Sequence, residues 1–107
     1  MRKYNHKDQK NNITKNLKVI EWLKSELLGS ISHLFKVMLK DNQEKITDAL
    51  ANLIIAAYLL AKRLGVSPNR LERKIQDNLR ENIDQQHKIE EWYGDLSLLL
   101  KHLIKKR

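Results

Sequence analysis

Asp48 and Asn52 stand four residues apart at the mouth of a long apolar stretch. Four residues is about one helical turn, so the two side chains share a face. A carboxylate beside an amide suits a hard dication such as Mg²⁺, which takes oxygen ligands, activates water and offsets phosphate charge. Glu44 precedes Asp48 by the same interval, whereas Glu21 and Glu26 are five apart and fall off a common face. Asp48 also has a plainer role, as a first-turn acid answering the helix dipole.

The other chemistry-bearing residues narrow the field. The histidines are His6, His33, His87 and His102. No two of them lie three or four apart, which excludes a zinc helix of the His-Glu-x-x-His kind. Cysteine is absent, so there is no disulfide framework, thiolate metal site or thiol nucleophile. No glycine-rich phosphate loop occurs. His33 follows Ser30 by three, at the edge of an expected bundle seam. Lys74 and Asn78 are four apart, a point charge for phosphate and an amide able to orient a polar ligand. Arg73, Asp77 and Arg80 surround them, so a solvated mixed-charge face is the simpler reading of that region.

Helices must position these groups, because strand signals are nearly absent: β-branched residues never alternate with polar ones over a useful length. A first helix is expected over about 14–40, with Ile20, Leu23, Leu27, Ile31, Leu34 and Met38 on one face. Gly29-Ser30 falls midway, where a kink or a close backbone approach is expected. After the polar break Asp41-Asn42-Gln43, a second helix runs to Leu64 and stops at Gly65, a C-cap glycine. Ser67-Pro68 then supplies an N-cap and a first-turn proline for a third helix, striped by Leu71, Ile75, Leu79 and Ile83. The fourth covers about 88–105, with Ile89, Trp92, Leu96, Leu99 and Leu103 on one face and a renewed start at Asp95. Short connections between long helices imply antiparallel neighbours, hence an all-α helical bundle of about four helices.

The second helix is the unusual one. From Ala49 to Ala61 it is apolar except at Asn52 and carries no charge. An amide buried in such a run needs a hydrogen-bond partner, which makes Asn52 a polar plug or the remnant of a site. So apolar a helix needs neighbours on most of its circumference, more than a chain of 107 residues offers alone. That favours a homo-oligomer, a homodimer or homotetramer, with a two-fold dimer the simplest case.

The formal charge of +8 is unevenly placed. Residues 1–18 carry net +5, residues 101–107 net +4, and the body between them net −1. Solvated termini explain this more simply than a nucleic-acid site, because the body is nearly neutral. The division expected is a basic flexible segment over 1–12 and one helical domain over 13–107. The first twelve residues lack the apolar core of a signal peptide, and the 13-residue run from Ala49 to Ala61 is short of the roughly 20 that span a bilayer. A cytoplasmic location with no membrane span is the expectation.

Leu50-Ala51-Asn52-Leu53-Ile54, then Tyr58-Leu59-Leu60 and Arg63-Leu64-Gly65-Val66, resembles the second metal helix of the MazG-like nucleoside triphosphate pyrophosphohydrolases. That helix usually reads Glu-x-x-Asp within a Leu-Ala-Asp-Val-Leu core and ends in a Leu-Gly turn. The stretch from Leu34 to Asp41 is similar to that family's first helix entering its loop. Lys74 and Asn78 resemble its Lys-x-x-x-Asn element near the substrate. The likeness covers about residues 17–82, and Glu91-Trp92-Tyr93-Gly94-Asp95-Leu96 looks like the extra C-terminal helix of a short subgroup from Firmicutes.

The resemblance implies an all-α fold, dimers or tetramers, and Mg²⁺-dependent cleavage of a nucleoside triphosphate to monophosphate and pyrophosphate. It also implies where the metal ligands belong. The first helix should offer Glu-x-x-Glu, and the aligned residues are Ser30 and His33. The second should offer Glu-x-x-Asp, and the aligned residues are Ala49 and Asn52, with Asp48 the candidate substitute. Lys74 and Asn78 match as residue types and are the expected phosphate-binding pair. Three functions follow as expectations: a nucleotide hydrolase with weakened or lost catalysis, a non-catalytic nucleotide-binding or scaffold protein, and a nucleic-acid binder acting through its basic ends.

Overall fold

In the computed structural model, residues 6–85 and 94–105 are described, with side chains from residue 12 onward. Four helices account for most of them: α1, His6–Met38; α2, Gln43–Arg63; α3, Pro68–Asp84; and α4, Asp95–Lys105. No strand occurs among the described residues. The protein is all-α. Ile89 and Trp92, the start expected for the fourth helix, and the first half of the stretch from Glu91 to Leu96 lie outside the described residues, as do the outermost basic residues at both ends. No single helix among the described residues is long and apolar enough to cross a membrane.

The helices group into two compact units, Met1–Val66 and Ser67–Arg107. α1 packs on α2 in the first, and α3 on α4 in the second. The sequence leads us to expect one domain over 13–107; the helices instead fall into two compact units, one pair in each. The first helix also starts earlier than expected, at His6 instead of about Thr14. Residues 6–12, read from sequence as a flexible segment, lie in its first turns; they contain neither Gly nor Pro to stop a helix.

α1 and α2 form an antiparallel hairpin. At one end the Asn16 side-chain amide donates to the Arg63 carbonyl oxygen at 3.5 Å. At the other, a short connector joins Met38 to Gln43. The buried residues are Leu23 and Val37 on α1 and Ala49 and Ala56 on α2. Counting inward from the two ends puts Leu23 about level with Ala56, a large side chain facing a small one, which lets the axes approach closely. The contact line on α1 steps by seven through Asn16, Leu23, Ser30 and Val37. Met38, expected in the core, is 54% exposed, while Val37 is 6% exposed. Extending the stripe from Leu34 by four residues overshoots the seven-residue line that follows an antiparallel partner.

Two further expectations are corrected. α1 runs unbroken through Gly29, and a Cβ added there meets nothing within 4 Å, so no backbone approaches it. On α4, Leu100 is half-buried and Leu99 exposed, and the helix begins at Asp95 with the Gly94 carbonyl accepting from the Leu98 N–H at 3.1 Å. Asp95 therefore occupies the first helical position instead of the cap, where its charge still answers the dipole.

Helix ends follow the sequence closely. Asn42 caps α2 by accepting from the Lys45 N–H at 3.1 Å, and Ser67 caps α3 by accepting from the Arg70 N–H at 3.2 Å ahead of Pro68. α2 closes in a Schellman motif: the Val66 N–H donates to the Ala61 carbonyl at 2.8 Å and the Gly65 N–H to the Lys62 carbonyl at 3.1 Å. Gly65 has φ +89, a region that an L side chain rarely adopts, with open space around it. Gly65→Ala is therefore expected to destabilise through backbone strain alone, by about 1–2 kcal/mol, read as a lower urea midpoint at unchanged slope.

Candidate functional site

Two concavities lie between α1 and α2, and His33 lines both. The smaller has a volume of about 210 Å³ and is lined by Glu26, Gly29, Ser30 and His33 from α1 and by Ala49 and Asn52 from α2. The α1 contributors follow helical spacing, with Glu26, Ser30 and His33 at i, i+4 and i+7. Ala49 and Asn52 are three apart on α2. Ala49, only 1% exposed, forms the floor, whereas Asn52 and His33 stand exposed at the rim and Ser30 is half-buried.

Asn52 is thus not a buried plug. α2 meets α1 along one stripe only, and Asn52 falls beside that stripe. No polar residue is buried among the described residues, so hydrogen bonding in a dry core is not what holds this amide.

The larger concavity, about 1010 Å³, lies toward the connector. Its walls include His33, Lys36 and Lys40 from the α1 side and Glu44, Lys45 and Asp48 from α2. Asp48 sits there, one position and a change of face away from Ala49. Lys74 and Asn78 are exposed on α3, in the second unit, near an Arg80–Asp77 ion pair of 3.5 Å.

All four positions at which the sequence resemblance expects metal ligands, Ser30, His33, Ala49 and Asn52, therefore line one pocket. A family model described as the MazG-like family matches residues 13–96. The chain belongs to the MazG-like family. Comparison with curated proteins and with solved structures gives no match.

The donors that this MazG-like chain brings to the pocket do not fit Mg²⁺. A hard dication of that size seeks near-octahedral oxygen ligation with carboxylates supplying charge. The pocket offers one carboxylate, Glu26, with a hydroxyl, an imidazole, a methyl group and an amide at the aligned positions. Among the described residues no three His, Cys, Asp or Glu side chains gather so as to hold a metal ion. Asp48 and Glu44 line the neighbouring concavity, and Glu26 does not line that one.

Glu26 is the pocket residue that sequence reasoning missed. Its five-residue offset from Glu21 removed it as a paired carboxylate. The available signal was its spacing of four from Ser30 and seven from His33, which keeps all three on one side of α1.

Proposed function

We propose that this MazG-like protein has lost Mg²⁺-dependent pyrophosphohydrolysis and keeps the α1–α2 groove as a binding site for a nucleotide. One observation carries the reading: the pocket persists as a shaped concavity while its family-aligned positions present Ser30, His33, Ala49 and Asn52. With Glu26 as its one carboxylate, the pocket lacks the charge to hold and balance the dication, so neither an activated water nor a neutralised leaving pyrophosphate is available through that route. A groove with an amide, a hydroxyl and an imidazole still supplies donors and acceptors for a sugar or base.

Self-association belongs to the same proposal. Ile13, Leu17, Leu28 and Phe35 are exposed on α1, Leu39 just past its end is 87% exposed, and Leu50 and Ile54 are exposed on α2. Their helical spacing sets them on the side of the hairpin away from Glu26, His33 and Asn52. An apolar face of this extent supports a second copy as its cover and a homo-oligomer as the working form.

Pyrophosphate release from a panel of nucleoside triphosphates with Mg²⁺ is expected to stay at background for the wild type and Asp48→Ala alike. Release by the wild type that Asp48→Ala abolishes would overturn the loss of catalysis and make Asp48 a ligand. In thermal melts, at least one nucleotide is expected to raise Tm through mass action. A flat response across the panel would count against binding.

A further inference from the structure

We infer that the apolar side of the α1–α2 hairpin takes a second copy of this chain, with α1 laid antiparallel on α1 about a two-fold axis that passes beside Lys24. This rests on the self-association reading and assigns its face, its symmetry and its register.

The stripe on that side of α1 reads the same from either end. Ile20, Leu17 and Ile13 precede Lys24 by 4, 7 and 11 residues, and Leu28, Ile31 and Phe35 follow it at the same intervals. At helical spacing all of them lie on one face. A two-fold contact requires a patch complementary to itself. Turned end for end about Lys24, the stripe sets Ile20 against Leu28 of the second copy, Leu17 against Ile31, and Ile13 against Phe35. The hairpin itself leaves these positions open: Ile13, Leu17, Leu28 and Phe35 are 58–71% exposed, and Ile20 and Ile31 are half-buried. Leu50 and Ile54 on α2 extend the same face. Covering all of them takes roughly 800 Å² from each copy, the share that one partner gives to a standard interface.

Lys24 is the one charge in the stripe. Its ammonium group meets the Glu21 carboxylate one turn back at 3.0 Å, and both side chains are more than half exposed. Across the two-fold axis the two Lys24 ammonium groups become neighbours, and a Glu21 carboxylate from each copy lies within a turn of them. The four charges cancel, so the patch complements itself in charge as well as in shape. A lone polar residue in an apolar seam fixes register at some cost in stability. A slip that sets each Lys24 against the second copy's Leu28 packs the charge on apolar surface and loses that balance.

The test uses the full chain, which contains no cysteine, so single introduced thiols report the contact without background. Sedimentation is expected to show a dimer, or a tetramer that contains it. Single-cysteine variants are mixed unfolded, refolded and oxidised. Lys24→Cys is expected to link to itself. Leu17→Cys alone stays unlinked, because its two copies lie roughly 20 Å apart along the helices. A mixture of Leu17→Cys and Ile31→Cys forms the mixed disulfide. Glu21→Gln, which leaves the ammonium groups opposed, is expected to raise the dimer Kd roughly tenfold or more, and Lys24→Leu to lower it. An oligomer in which Leu17→Cys links to itself, or in which the mixture does not link, overturns the register and leaves self-association standing. A chain that sediments as a monomer at every concentration overturns both and leaves the face to a different partner.

Discussion

Ala49→Glu is expected to destabilise the protein by about 3 kcal/mol or more, because it places a carboxylate where the helices touch. Ala49 is 1% exposed on the stripe that α2 lays against α1. A glutamate there must displace packing and bury its carboxylate where the helices touch, with Lys45 one turn away as the nearest cation on the same helix. The companion experiment adds the remaining acids of the family pattern, Ser30→Glu, His33→Glu and Asn52→Asp, in the same chain. With four carboxylates added to Glu26 round the pocket, stability is expected to become Mg²⁺-dependent, since an ion that binds only the folded state stabilises it by about 2.7 kcal/mol at a hundredfold excess over Kd. Denaturant melts with Mg²⁺ and with EDTA read both effects. If Ala49→Glu alone costs under about 1 kcal/mol, burial does not explain the missing acid. If the quadruple variant ignores Mg²⁺, the assignment of these four positions to a former metal site is wrong.

Leu23→Ala is expected to cost about 3 kcal/mol, within the usual range of 2–5 for a fully buried leucine. Leu23 is 2% exposed and is the largest fully buried side chain in the described structure. Its level on the hairpin is held by Ala56, which has no atoms to spare for filling a void. With only Val37, Ala49 and Ala56 beside it among the buried residues of the first unit, little else can compensate. Urea unfolding followed by far-ultraviolet circular dichroism measures the loss. A change under about 1 kcal/mol would mean that the hairpin contact contributes little to stability and that the exposed apolar face dominates.

The sequence legibly encodes where helices begin and end. Asn42, Gly65, Ser67 and Pro68 act through their own backbone neighbours, so residue type alone reveals them. The register of α1 on α2 was less legible, because Val37 and Met38 differ by one position and only the partner decides which is covered. The same limit hid Glu26 and misplaced Asn52: lying in an apolar run says nothing about which side of the helix a neighbour covers. Family likeness marked Ser30, His33, Ala49 and Asn52, yet only the folded hairpin brings Glu26 in beside them.

The short connector between Met38 and Gln43 also bears on time. Closing a loop of a few residues forfeits little chain entropy, and contacts between helices so joined are local in sequence. Such topologies fold on the order of microseconds to milliseconds. Docking that begins beside the connector and zips toward Asn16 and Arg63 would bring His33 and Asp48 together in its first steps. The walls of the groove would then be set before the far end of the hairpin closes.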